Sequence, residues 1–356
     1  MNYAKPDPRL DRAEPAPSEH AEGRPSAGGG PSGGLSARWR RRLAWLGPAA
    51  SLVLFAVAVA VLYRLVSQMS WADLRAAVTA AGPGQVGVAA GLTAASYLLL
   101  TCYDALALRQ LRISVPYRTT AFASFASYAV SFNLGFPLVT GGTVRYWFYA
   151  PKGLSAAKVA SLTVVAGFTF WLGMGLVLGA SLLAETDDVS RLTWTNERVI
   201  QLVGFASLGA VLAYLAWVSV KRRSVKVKGW RLELPGLSLS LGQMLIGTAD
   251  VLCAAGVLYV LLPDGHGIGF PAFLAVYVFA AMLGIVSHAP GGLGVFEATI
   301  LLALSGMARE PVLGALLLFR VFYYLVPFVV ALAGLGLYEI AGRLRTARDW
   351  GPTDEE

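Results

Sequence analysis

Apolar side chains run almost without interruption through eight stretches of the chain, at 45–63, 83–108, 119–144, 159–184, 199–220, 240–263, 270–296 and 311–338. Each is close to the ~20 residues that a helix needs to cross a hydrocarbon core. Hydropathy alone therefore counts eight crossings. The charges between the runs reject that count. With the N-terminus inside and eight crossings, the inner loops hold 5 Lys and Arg and the outer loops 12. The basic cluster Lys221, Arg222, Arg223, Lys226, Lys228 and Arg231 then faces outward and the acidic Glu185, Asp187 and Asp188 inward, against the rule that basic loops stay in the cytoplasm.

Two re-entrant hairpins remove the conflict. If 119–152 enters from the cytoplasm and returns, and 270–308 does so from the outside, the count becomes 12 inside and 5 outside. Each segment also carries a reason to break at mid-depth. The first reads Asn133-Leu-Gly-Phe-Pro137-Leu-Val-Thr-Gly141-Gly142, and the second His288-Ala-Pro290-Gly291-Gly292-Leu-Gly294. Proline removes a backbone donor and obstructs a helix, while glycine permits turns that other residues resist. Irregular backbone at membrane depth survives only where protein or a water-filled cavity covers it, so each break is expected to line a cavity.

The resulting fold class is an all-α polytopic membrane protein with six full transmembrane helices plus two re-entrant helical hairpins. Span, hairpin, span recurs at about 83–184 and again, upside down, at about 240–338. Inverted repeats with broken helices meeting near the midplane are an architecture of alternating-access transporters.

Composition agrees with a membrane setting: 56% of the 356 residues are hydrophobic and 14% charged, against about 25% charged in soluble domains, and mean hydropathy is +0.59. The net charge of +8 falls in clusters beside apolar runs, which reads as topology signalling rather than as a nucleic-acid surface. Residues 1–37, rich in Pro, Gly, Ser and Ala, read as a disordered cytoplasmic tail. Residues 38–342 form the membrane domain and 343–356 a cytoplasmic C-terminal tail. Cys102 and Cys253 both lie in apolar runs and read as small hydrophobes.

Chemistry at membrane depth falls to a few residues. Arg145, three past Gly142, is expected in the first turn of a half-helix Thr143–Ala150, where the helix N-terminus and a guanidinium together suit a phosphate; the alternative is a side chain that snorkels to the interface. Glu297, five residues past Gly292, is favoured by the helix dipole in any case, or else serves as counter-charge to a substrate amine, a cation or Arg145. Arg320 interrupts an uncharged run, where a charge costs about 2.5–3.5 kcal/mol, and so faces the bundle interior, either paired with Glu297 or on substrate. Asp104 sits near Arg109, which suggests an interfacial ion pair, and the deeper Asp250 is expected to face the cavity. His288 is either a proton relay or a hydrogen-bonded turn residue. The outer Asp264-Gly-His266 offers too few ligands for a metal. The substrate-binding set is thus Asn133, Gly141, Gly142, Arg145, Asp250, His288, Pro290, Gly291, Gly292, Glu297 and Arg320, with no catalytic residue, metal or cofactor expected. No P-loop, CxxC, HExxH or GxSxG occurs, and the glycines at 291–294 follow no strand, which removes a dinucleotide reading.

Three pieces carry a resemblance: Ser287-His-Ala-Pro-Gly-Gly-Leu-Gly-Val-Phe-Glu297; Asn133-x-Gly135 with Gly141-Gly142-x-x-Arg145; and Arg320 with Tyr323-Tyr324-x-x-Pro327. Over roughly residues 45–340 the chain resembles the transmembrane region of lysylphosphatidylglycerol synthetase/flippase proteins, in a stand-alone form without the soluble aminoacyl-transfer domain. The resemblance implies translocation of a phospholipid or related lipid in the bacterial cytoplasmic (inner) membrane, with both termini cytoplasmic and a separate lipid-modifying enzyme as a potential partner. It leaves the lipid open. Two other readings stand beside it: an intramembrane lipid-modifying transferase using Asp250, His288 and Glu297 as acid/base groups, and an accessory subunit of a cell-envelope assembly complex.

Overall fold

Serine caps and glycine–proline breaks divide the chain into its helices. A computed structural model describes residues 70–348 except 221–223, 228–229, 234 and 288, with a few positions between 56 and 67; side chains are described outside 224–233 and as far as Ala341. The expected first span at 45–63, the N-terminal tail and His288 lie outside the described residues.

Helix α1, Trp71–Gln110, starts where Ser70 accepts a hydrogen bond from the Asp73 amide, 3.3 Å. It bends at Gly82, whose φ of 72° and ψ of 159° precede Pro83. The missing proline donor and the glycine conformation together separate an entry helix from the apolar run that begins at 83. Next come α2, Tyr117–Leu134, and α3, Pro137–Tyr149. Ser155 caps α4, Ala156–Ala184, by accepting from the Lys158 amide, 3.4 Å. A short polar helix α5, Thr186–Thr193, leads into α6, Glu197–Val220. Two short antiparallel strands, Ser224–Val227 and Trp230–Glu233, pair with Ser224 opposite Glu233; they are an addition to the all-helical expectation. Helices α7, Leu237–Leu261, α8, Phe270–Val286, α9, Val295–Ala303, and α10, Arg309–Phe319, follow. A π-helical segment, Arg320–Leu325, then joins α10 to α11, Val326–Arg348.

Among the described residues five stretches are long and apolar enough to cross a membrane: α1, α4, α6, α7 and the continuous Arg309–Ala341. They coincide with five of the six runs that the sequence reads as full spans. The runs 119–144 and 270–296 instead divide into paired shorter helices. In the first, the chain turns at Gly135, φ 77°, and Phe136, φ 49°, and restarts at Pro137. This corrects the expected half-helix Thr143–Ala150. Proline at the first helical position has φ preset and lacks only an amide that a helix start leaves unpaired, so the helix begins there. Gly141 and Gly142 lie within it, and Arg145 in its third turn. In the second, a single 3-10 turn, Pro290–Gly292, and Gly294 at φ 82° separate α8 from α9.

Apolar surface gives little drive for helix association inside lipid, so close approach through small residues decides the packing. Gly173 of α4 crosses Gly247 of α7 backbone to backbone: a Cβ on Gly247 would lie 2.5 Å from the Thr169 carbonyl. Gly179 takes the Leu208 side chain of α6, and Gly204 of α6 takes Leu183. Helix α1 lies along α7, α2 against α11, and α8 against α4. Two apolar cores result. One, around Phe273, Tyr277, Phe296 and Phe319, joins the second helix pair to α7 and α10. The other, around Tyr103, Phe148, Tyr149 and Phe328, joins the first pair to α1 and α11.

Candidate functional site

The break of the second helix pair sits against the end of α2. A Cβ on Gly291 would come within 3.1 Å of both the Phe132 carbonyl and Arg320 Nη1. Only glycine fits, on space and on its φ of 59°. Arg320, at the junction of α10 and the π segment, reaches into this break. Its Nη1 donates to the Gly291 carbonyl and its Nε to Glu297 Oε1. Its Nη2 lies beside the same carboxylate oxygen as an ion-pair contact, without hydrogen-bond geometry. The other oxygen of Glu297, Oε2, accepts from the Gly294 amide at 2.8 Å, so the carboxylate both caps α9 and anchors Arg320. Tyr324 lies under the guanidinium at 4.7 Å. The pair remains partly open, with 13% of the Arg320 side chain and 22% of Glu297 accessible.

The π segment that carries Arg320 has carbonyls to satisfy. Pro327 offers no amide to the Tyr323 carbonyl four residues earlier, and a wider helical turn displaces the ladder further. Two carbonyls of the segment accept from the first half of the chain. Tyr97 Oη of α1 donates to the Tyr323 carbonyl at 3.1 Å, and Asn133 Nδ2 at the end of α2 donates to the Tyr324 carbonyl at 3.2 Å. Phe132 stacks on Tyr323 with ring centroids 6.2 Å apart. The two breaks and the π segment thus form one junction.

Arg145 is elsewhere. It is 2% exposed and Asp104 0%; Nε donates to both carboxylate oxygens, at 3.1 and 2.9 Å, and Nη2 to Oδ1 at 2.7 Å. Tyr149 Oη donates to Asp104 Oδ2 at 3.3 Å, and Tyr128 faces the guanidinium at 4.7 Å. Gly141 leaves the room, since a Cβ there would lie 3.1 Å from Arg145 Nη1. The expected Asp104–Arg109 interfacial pair is therefore corrected: Asp104 turns inward, because a buried guanidinium on α3 needs a counter-charge.

Asp250 is 2% exposed on α7. Ser96 Oγ donates to its Oδ1 and Tyr103 Oη to its Oδ2, the latter at 2.8 Å. Ser96 Oγ also lies 2.9 Å from Tyr323 Oη. The expected cavity-facing acid is thus enclosed by hydroxyl groups.

A family model described as the lysylphosphatidylglycerol synthase TM region matches residues 49–331. The chain belongs to that family. It is 31% identical to the Synechocystis sp. protein slr0712 over 304 residues, covering 85% of this chain and 94% of that protein. It is 28% identical to the Escherichia coli inner membrane protein YbhN over 302 residues, 83% of this chain and 92% of the relative. A phosphatidylglycerol lysyltransferase of Staphylococcus aureus matches at 27% over 245 residues, 67% of this chain but 27% of that enzyme. Hydropathy, five helical stretches long and apolar enough to cross a membrane, and family membership together make this a multi-pass membrane protein.

Of the residues singled out in the sequence, the structure brings Asn133, Gly291, Glu297 and Arg320 together at the junction, with Pro290 and Gly292 in the adjoining turn. It seals Arg145 in a pair with Asp104, with Gly141 making room beside the guanidinium and Gly142 next to it in α3, and sets Asp250 in a hydroxyl network. His288 is outside the described residues. The sequence reading missed Ser96, Tyr97 and Tyr103, and singled out Tyr323 and Tyr324 only as part of the motif that follows Arg320. A signal existed: Ser96 and Tyr103, like Tyr97 and Asp104, are seven residues apart and share a helix face.

Proposed function

We propose that this protein moves a phospholipid or related lipid between the leaflets of the inner membrane, with the headgroup passing the Glu297–Arg320 junction. In this reading six full spans and two re-entrant pairs form inverted repeats, 83–184 and 240–338, and both termini lie in the cytoplasm. Arm length supports the hairpins. The nine residues of α9 rise ~14 Å and the thirteen of α3 ~20 Å, against a core of ~30 Å, so neither helix pair supplies two crossings. Reciprocal packing supports the repeats: the first arm of each pair lies on the last helix of the other half, α2 on α11 and α8 on α4.

The single observation that carries the reading is the accessible ion pair at the break. A charged pair held partly open where two interrupted helices meet can exchange partners with a zwitterionic or anionic headgroup: Arg320 toward phosphate, Glu297 toward an amine or hydroxyl. The sealed Arg145–Asp104 pair is then a brace for the first hairpin rather than the phosphate seat. Kinship with a region that also occurs in a phosphatidylglycerol lysyltransferase supports a lipid as substrate. The test uses phosphatidylglycerol proteoliposomes with a tail-labelled fluorescent phosphatidylglycerol and a membrane-impermeant quencher. Wild-type protein should expose the inner-leaflet label faster than empty vesicles, and Glu297→Gln more slowly than wild type. Equal rates for protein-free and protein-containing vesicles would overturn the proposal for this lipid class.

A further inference from the structure

We infer that Asp250 is a proton-loading site that couples the lipid movement proposed above to a proton gradient. An ionised carboxylate within a bilayer is costly unless a cation pairs with it. Among the described residues no Lys or Arg forms an ion pair with Asp250; Arg145 pairs with Asp104 and Arg320 with Glu297. The titratable groups facing it are phenols and a thiol: Tyr97 and Tyr103 from α1, Tyr128 from α2, Tyr277 from α8, Tyr323 from the π segment, and Cys253 on its own helix. Arg145 shares the neighbour Tyr128 with Asp250, and Arg320 shares Tyr277; each of these arginines is held by its own carboxylate, Asp104 and Glu297.

The hydrogen bonds give the proton a consequence. With Asp250 ionised, Ser96 Oγ and Tyr103 Oη both donate to it, so the contact between Ser96 and Tyr323 is satisfied with Tyr323 donating. When a proton from water binds at Oδ1, that oxygen donates to Ser96 Oγ, Ser96 donates to Tyr323 Oη, and the Tyr323 hydroxyl hydrogen needs another acceptor. Tyr103 continues to donate to Oδ2. The change in donor order arrives on the π segment, three residues from Arg320, and the three elements involved, α1, α7 and the π segment, come from both halves of the chain. Loading at one face and release at the other thereby bias the junction that holds the headgroup.

The experiment measures the leaflet distribution of labelled phosphatidylglycerol in phosphatidylglycerol proteoliposomes with and without an imposed pH gradient. One proton per lipid allows a shift of up to about tenfold in the leaflet ratio for each pH unit. Wild type should show a gradient-dependent ratio, and Asp250→Asn a ratio independent of the gradient. A gradient response retained in Asp250→Asn overturns the inference. If Asp250→Asn is inactive, or wild type moves no lipid and the transport proposal fails, infrared spectroscopy of the purified wild-type protein decides the proton site alone. A protonated carboxylic acid band at neutral pH, lost on alkalinisation and missing in Asp250→Asn, supports it. An Asp250 carboxylate that stays ionised throughout overturns it.

Discussion

Arg145 grips both carboxylate oxygens of Asp104 across 41 residues of chain, with both side chains withdrawn from the surroundings, whereas Arg320 and Glu297, 23 residues apart, make the corresponding pair partly open. The same chemistry is thus used twice, once sealed between α1 and α3 and once at a junction that stays partly accessible. The difference in accessibility separates the expected effects of mutating each.

Breaking the sealed pair should unfold the protein before it alters specificity. Removing one partner leaves an unpaired buried charge, a loss of about 3–5 kcal/mol. Asp104→Asn and Arg145→Ala should both lower the unfolding temperature in detergent, and the double variant Asp104→Leu/Arg145→Met should recover part of the loss. Single variants as stable as wild type would contradict a closed pair.

At the open pair the expected effect is on rate. Glu297→Gln keeps the size of the side chain and an oxygen for the Gly294 amide, but loses the charge that positions Arg320. Lipid translocation should fall about tenfold or more, equivalent to ~1.4 kcal/mol of barrier, with little change in unfolding temperature. A wild-type rate in the fluorescence assay would remove Glu297 from the site.

The crossing of α4 and α7 leaves no room for a methyl group. Gly247→Ala places a Cβ 2.5 Å from the Thr169 carbonyl, and forcing such helices apart costs about 1–3 kcal/mol. Gly209→Ala, with nothing within 4 Å of its added Cβ, is the control, expected to be neutral or stabilising by up to about 1 kcal/mol from helix propensity. Thermal melts of the two side by side test the contact.

Asn133 and Tyr97 donate to the π segment from the other half of the chain, so Tyr97→Phe strands the Tyr323 carbonyl, which has no amide at Pro327, and Asn133→Leu removes a donor from the Tyr324 carbonyl. The expected loss is about 1–3 kcal/mol for each, and hydrogen exchange should quicken at Arg320–Leu325 more than in α4. Unchanged exchange there would separate the two donors from the π geometry.

Topology is open to a direct check. In a background of Cys102→Ser and Cys253→Ser, cysteines introduced as Lys152→Cys and Val227→Cys should both react only from the cytoplasmic side. Labelling of either from outside would turn one hairpin into a full crossing.

The sequence by itself determined where the chain can span and where it must break. Burial in lipid demands long uncharged runs, loop charge selects sides, and proline and glycine act on the backbone locally; the 83, 159, 199, 240 and 311 runs and the interruption from Pro290 to Gly294 are legible for that reason. Local rules misplaced the first restart because Gly141-Gly142 looked like a break, while Pro137 is the stronger start and Gly141 serves instead to admit Arg145. Tertiary structure alone decided the partners. Which carboxylate meets which arginine, and which donors reach the carbonyls freed ahead of Pro327, depends on helix crossings set by close approach, such as Gly173 on Gly247, between residues far apart in sequence. Charge and hydrogen-bond pairing at a distance is a property of packing, and no periodicity along the chain encodes it.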